Sequence, residues 1–253
     1  MTGKLSITFD DGLASVRSLA LPELEKIGAT ATVFVISDLI GKEFDSHPVM
    51  DERQLRYLIS RDWEIGSHTR THPNLFDLAD VEVDAEFRNS KTCLEEITST
   101  KIDSMAYPFG HYDNRIKAIA ARYYSFARGT SSFPPLKVNS VNPQDRMALG
   151  AVSTYAHPFS LPMHLLYGHV LSKLSYRPRG KIKTTSRGLE SRFIRKWIQH
   201  LRKNQWLILA FHDLSEQETF KSYTIGVREF REIAKIISRN VDVVNINHGM
   251  SKT

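Results

Sequence analysis

With 253 residues, 41% of them hydrophobic and 25% charged, the chain can bury one barrel-sized core and has the polarity of a soluble globular protein. No apolar run reaches the roughly 20 residues that a membrane-spanning helix needs. The single cysteine, Cys93, excludes an internal disulfide and a paired-thiolate zinc site, while the net charge of +6 is concentrated between Arg177 and Lys203.

Taken in chain order, Lys4–Phe9 reads as a strand and Ser15–Ile27 as a helix ending near Gly28. Ala29–Ile36 is β-branched and apolar, the pattern of a buried parallel strand. Asp51 stands where it can cap a helix over Glu52–Ser60, with Leu55, Leu58 and Ile59 on one face. Trp63–Ile65 is a short strand, and Asp80–Ile97 a helix with Val83, Phe87, Cys93 and Leu94 buried. Ser104–Tyr107 is a strand that Pro108 stops, followed by helix Asn114–Tyr123 and strand Tyr124–Ala127. From residue 131 to 185 the periodicity lapses into an irregular, Pro-, His- and Ser-rich insertion or lid, with one strand expected at Met147–Thr154. Helix Leu189–Lys203, strand Trp206–Phe211, helix Val227–Arg239 and strand Val241–Ile246 complete the chain. Strands that alternate with helices, without hairpins, predict a parallel α/β sheet in a single domain over residues 1–253.

Three polar clusters fall at the C-terminal ends of predicted strands, where α/β folds place their sites. They are Asp10-Asp11-Gly12, His68 with His72, and His212-Asp213. Adjacent carboxylates at the end of a buried strand are costly unless something neutralises them, and two histidines four apart can meet one cation. Asp11, His68 and His72 are therefore candidate ligands for a divalent metal. Zinc is the first expectation, with cobalt, manganese or nickel as alternatives. Asp10 is left as a base for a water proton, and His212 as an acid for a leaving amine. That set describes metal-assisted hydrolysis of a C–N bond.

The sequence resembles the NodB-homology polysaccharide deacetylase family. The first motif is Thr8-Phe9-Asp10-Asp11-Gly12 and the second runs from His68 to Leu75. Tyr107-Pro108-Phe109-Gly110 resembles part of the third, and Leu209-Ala210-Phe211-His212-Asp213 the last. The resemblance implies a distorted (β/α)7-type barrel and an N-acylated sugar or glycan as substrate. It also implies a metal on Asp11, His68 and His72, Asp10 as base and His212 as acid. The backbone N–H of Phe109, after Pro108, would bind the oxyanion.

Three departures stand out. Ala106 replaces the arginine that usually orients the base, and Arg128 is the substitute expected. Ala210 replaces a pocket leucine, which implies room for an acyl group larger than acetyl. The Asp and Trp that usually tune the acid are not recognisable, and Asp213 is a poor orienting partner because strand neighbours point to opposite faces.

His157, His164 and His169 lie in the insertion as ordinary loop histidines, and His111 stands beside the third motif. The apolar run Phe159–Leu166, followed by the basic cluster, has the makings of a peripheral membrane contact. With no apolar leader before the first motif, the expected location is cytoplasmic, with a lipid-linked sugar at the inner membrane face as one option. Nucleic acid is disfavoured, because Phe193 and Trp197 have helical, core-like spacing. Hydrolysis of a cyclic amide or imide, or glycan binding without catalysis, are the alternative functions.

Overall fold

The computed structural model describes residues 3–131, 138–154, 189–217 and 223–249. Seven parallel strands close into a barrel: β1 (Lys4–Phe9), β2 (Thr32–Val35), β3 (Glu64–Ser67), β4 (Ser104–Ala106), β5 (Phe126–Ser131), β6 (Leu149–Ser153) and β7 (Gln205–Phe211). The closing seam pairs β1 with β7 over six residues, from Lys4 opposite Trp206 to Phe9 opposite Phe211. Around the barrel lie α1 (Leu21–Glu25), α2 (Glu52–Ser60), α3 (Asp80–Thr98), α4 (Asn114–Ala120), α5 (Leu189–Gln199) and α6 (Val227–Ser238). Among the described residues no helix is long and apolar enough to cross a membrane.

The strand alternation sorts apolar side chains into two clusters, as a period of two requires. Ile7, Phe9, Val33, Val35, Leu207, Leu209 and Phe211 face outward and pack under the helices. Phe34, Ala106, Phe126, Leu149, Ala151, Trp206, Ile208 and Ala210 fill the interior. Residues 149–153, expected as a strand inside the irregular insertion, form the sixth stave of the barrel, pairing with both β5 and β7.

Asp51 caps α2 as expected: its carboxylate accepts from the Gln54 amide while the Gln54 side chain accepts from the Asp51 amide. The helix expected over residues 15–27 begins instead with a wider π turn, Val16–Ala20, before the short α1. The strand expected over Val241–Ile246 is limited to Asp242–Val243, beside β1, and then turns into a 3-10 turn at Ile246–His248. Two small pairings were not anticipated. Glu43–Phe44 and His47–Pro48 form an antiparallel hairpin, and Asp213–Ser215 lies parallel to Thr224–Gly226.

Candidate active site

In-register pairing of β1 and β7 delivers Asp10, Asp11 and His212 to one rim of the barrel, and β3 delivers His68 to the same rim. A cavity of about 250 Å³ opens there, lined by Asp10, Asp11, His68, His72 and His212 together with Phe44, Asp45, His47, Tyr107, Phe109, Thr130, Ser153, Asp213 and Tyr223. Backbone strain concentrates around it. Of the nine non-glycine residues with positive φ among the described residues, Asp11, Asp45, His72, Phe109 and Tyr223 all line this cavity. Such conformations persist only where surrounding structure enforces them.

Asp11, His68 and His72 present one ligand atom each within 4.8 Å of one another. His68 Nε2 lies 3.5 Å, and His72 Nε2 3.8 Å, from Asp11 Oδ1. His68 Nδ1 donates to the Ala106 carbonyl at 2.9 Å, which leaves the Nε2 lone pair directed to the cluster. The loop carrying His72 is held by α3: Glu86 accepts from the amides of Arg70 and Thr71 and from the Thr71 hydroxyl. Thr69, at positive φ, then accepts from the His72 amide through its hydroxyl.

The electrostatics fit a cation. Burial lowers the pKa of His68 to about 4 despite the opposing charge of Asp10. Burial, with His68 adding to it, takes His72 to about 3. Both imidazoles are thus neutral, the ligating form, at neutral pH. Burial and then the neighbouring Asp10 push the Asp11 carboxyl well above its usual range, so its ionised form needs a positive partner. Two neutral nitrogens and one carboxylate that lacks a counter-charge suit a divalent ion.

Asp10 is 2% exposed, yet it remains ionised. Burial alone would raise its carboxyl; Arg128, His68 and His212 together outweigh that and hold it below the ordinary value. Arg128, itself 1% exposed, donates from Nη2 to Asp10 Oδ1, and its guanidinium lies over the Phe34 ring at 4.6 Å. Arg128 is the register partner of Ala106 on the adjacent strand. The cation expected at position 106 has in effect moved one stave sideways and still reaches Asp10.

His212 Nε2 lies 3.8 Å from Asp10 Oδ2, and burial lowers its pKa while Asp10 pulls the other way. Asp213 is occupied elsewhere, accepting from Ser15 Oγ at 2.7 Å and Thr224 Oγ1 at 3.1 Å, with His47 Nδ1 at 3.3 Å.

Of the expected oxyanion and pocket residues, Phe109 lines the cavity, at φ 57°. Pro108 and Ala210 are buried and are not part of the lining. Ala210 lies on β7, two residues before His212. Strand alternation turns this side chain into the barrel, where it packs with Phe34 and Ala106. Cys93 lies half-buried on α3, away from the cavity lining. His157, His164, His169, the apolar run 159–166 and the basic residues from Arg177 to Arg187 lie outside the described residues.

Asp45, His47 and Tyr223 are cavity residues that pattern reading passed over. Their one signal was Asp45-Ser46, a turn pair ahead of His47-Pro48.

The polysaccharide deacetylase family profile matches residues 2–124. A Bacillus subtilis (strain 168) protein, YxkH, provisionally named a polysaccharide deacetylase, is 30% identical over 128 residues, 51% of this chain and 44% of its own length. The chain spans between 5% and 44% of the curated relatives that it matches. The Streptococcus pyogenes deacetylase PplD, solved in complex with acetate, superposes with a TM-score of 0.52 at 26% identity, over 64% of this chain and 68% of that one. The family 4 carbohydrate esterase from Streptomyces lividans, also with acetate, covers 99% of this chain and 97% of its own, with a TM-score of 0.57 at 12% identity, and shows the shared barrel. With the profile spanning the first two motifs and the seven-strand barrel closed around them, residues 2–124 are similar to the polysaccharide deacetylase family and the chain shares the barrel of its solved members.

Proposed function

We propose that the chain removes an N-acyl group, acetyl in the first instance, from an amino sugar of a glycan. The match of residues 2–124 to the polysaccharide deacetylase family supports deacetylation of acetylated glycans, a hydrolytic reaction. The observation that carries the finer reading is the ionised Asp10, paired with Arg128, beside the Asp11, His68 and His72 cluster, with His212 across from it.

A divalent ion on Asp11, His68 and His72, zinc by the donor set, would supply Lewis acidity to a water and to the amide carbonyl. Asp10, kept unprotonated by Arg128, takes a proton from the attacking water. The backbone N–H of Phe109 donates to the carbonyl oxygen as it gains charge. His212, protonated, gives its proton to the nitrogen as the C–N bond breaks, leaving acetate and a free amine. The burial that weakens its hold on a proton makes it a better donor at that moment.

The test is acetate release from N-acetylglucosamine oligomers by protein stripped of metal, then reloaded with zinc or cobalt. Release should vanish on stripping and return on reloading, and Asp10→Asn should lower kcat by about 10³-fold, the range of a lost general base. Release that survives stripping, or an active Asp10→Asn protein, would overturn the reading.

A further inference from the structure

Large apolar side chains are exposed at only five described positions, and two of them, Phe109 at 57% and Phe76 at 48%, belong to one row of rings. The row starts in the metal cluster. The His72 and Phe109 rings meet at 4.7 Å, Phe109 and His111 at 6.1 Å, and His111 stacks on Phe76 at 5.6 Å with 21° between planes. His72 and Phe109 line the cavity, whereas His111 and Phe76 lie beyond its lining.

The row is built to stay in place. Phe109 has positive φ, and Gly110 after it has φ 72° with no room for a side chain, since a Cβ would stand 2.6 Å from Thr130 Oγ1. The turn bearing Phe76 is anchored by the fully buried Leu75 and by Arg115, whose guanidinium donates to the carbonyls of Leu75 and Leu78. Exposed apolar rings held rigidly at the mouth of a cavity mark a binding surface rather than a packing defect.

We propose that Phe109, His111 and Phe76 form a stacking platform for the sugar residues that adjoin the one being deacetylated, so that the substrate is an oligomer or polymer and not a single amino sugar. This rests on the hydrolase reading above and extends it. A cavity of about 250 Å³ is below the 300–1,000 Å³ of pockets that enclose drug-sized ligands, so a second sugar has to lie outside it. The electron-rich faces of aromatic rings attract the polarised C–H bonds of a pyranose face. Continuity from His72 outward gives the neighbouring residues a path that begins at the reacting one.

The experiment compares acetate release from N-acetylglucosamine and its tetramer by the metal-loaded wild-type protein, Phe76→Ala, Phe76→Tyr and the control Val81→Ala. Val81 is exposed at 74% and lies off the row. The wild type should show a lower KM for the tetramer than for the monomer. Phe76→Ala should raise the tetramer KM about three- to tenfold with kcat unchanged, and Phe76→Tyr should restore it. Equal tetramer KM for wild type and Phe76→Ala would overturn the platform. If no protein releases acetate, calorimetric titration with the tetramer still decides. Weaker binding by Phe76→Ala would support the platform while the hydrolase reading falls, and equal binding, or none, would overturn it.

Discussion

At the N-terminal end of the barrel, Glu64 is half-buried and is ringed by hydrogen-bond donors. Its carboxylate accepts from Ser104 Oγ, from Thr32 Oγ1 at 3.2 Å and from the Asn247 amide at 3.0 Å. At the C-terminal end, Asp10 and Asp11 are buried side by side, and the cation that serves Asp10 has Nε and Nη1 without a hydrogen-bond partner among the described residues. Burial raises the Glu64 carboxyl above its ordinary value, with its hydrogen bonds working in the opposite direction. At the other rim the same burial drives Asp11 up while Asp10 is held down. Two acids pushed apart in pKa within one cavity signal chemistry, and one acid surrounded by donors signals a latch.

Removing Arg128 should break that contrast most severely. Arg128→Ala leaves Asp10 buried without its counter-ion, with an expected cost of about 3–5 kcal/mol in denaturant unfolding. Adding Ala106→Arg, on the register partner, should return part of both stability and acetate release. A double variant no better than the single one would show that the adjacent stave cannot substitute.

Glu64→Gln sharpens the comparison from the other end. It places an amide donor against the Asn247 amide or a hydroxyl, and should cost about 1–3 kcal/mol in unfolding while kcat stays at the wild-type value. A fall in kcat without a change in stability would mean that the two ends are coupled.

The smallest expected effect lies outside the barrel, where Glu23 of α1 accepts from Arg231 of α6 at 2.8 and 2.9 Å. The Arg231 hydrogen bonds, working against burial and assisted by Lys26, hold the Glu23 carboxyl at about 2, against an ordinary 4.5. Because the folded value is depressed, the clamp stabilises above the ordinary pKa and is lost as pH falls from about 4.5 toward 2. Glu23→Gln should lower Tm by about 2 °C at pH 7 and by nothing measurable near pH 2. Equal shifts at both pH values would show that the ion pair is not the cause.

Periodicity located the staves and most helices, because strand burial and helix amphipathicity are local properties. The limits of α2 read directly from the sequence, since Asp51 and Gln54 cap it within four residues. The site was legible where strand ends carry charge: Asp10, Asp11, His68, His72 and His212 do come together. Long-range register was not legible. Nothing near Ala106 says that Arg128 stands opposite it, and nothing near His47 says that Asp213 receives it. The surroundings of Ala210 were equally hidden, since its neighbours inside the barrel come from other staves.

The seam between β1 and β7 has a kinetic consequence. Thr8 Oγ1 donates to the Leu209 carbonyl across 201 residues of chain, a non-local contact of the kind that slows folding. Asp10, Asp11, His68 and His72 lie within the first 72 residues, whereas His212 arrives on the last stave. On this topology the residues proposed to activate water come early in the chain and the proposed proton donor comes late. On the proposed roles, a partly opened barrel would keep Asp11, His68 and His72 together without His212, and pairing of β1 with β7 would complete the proposed site.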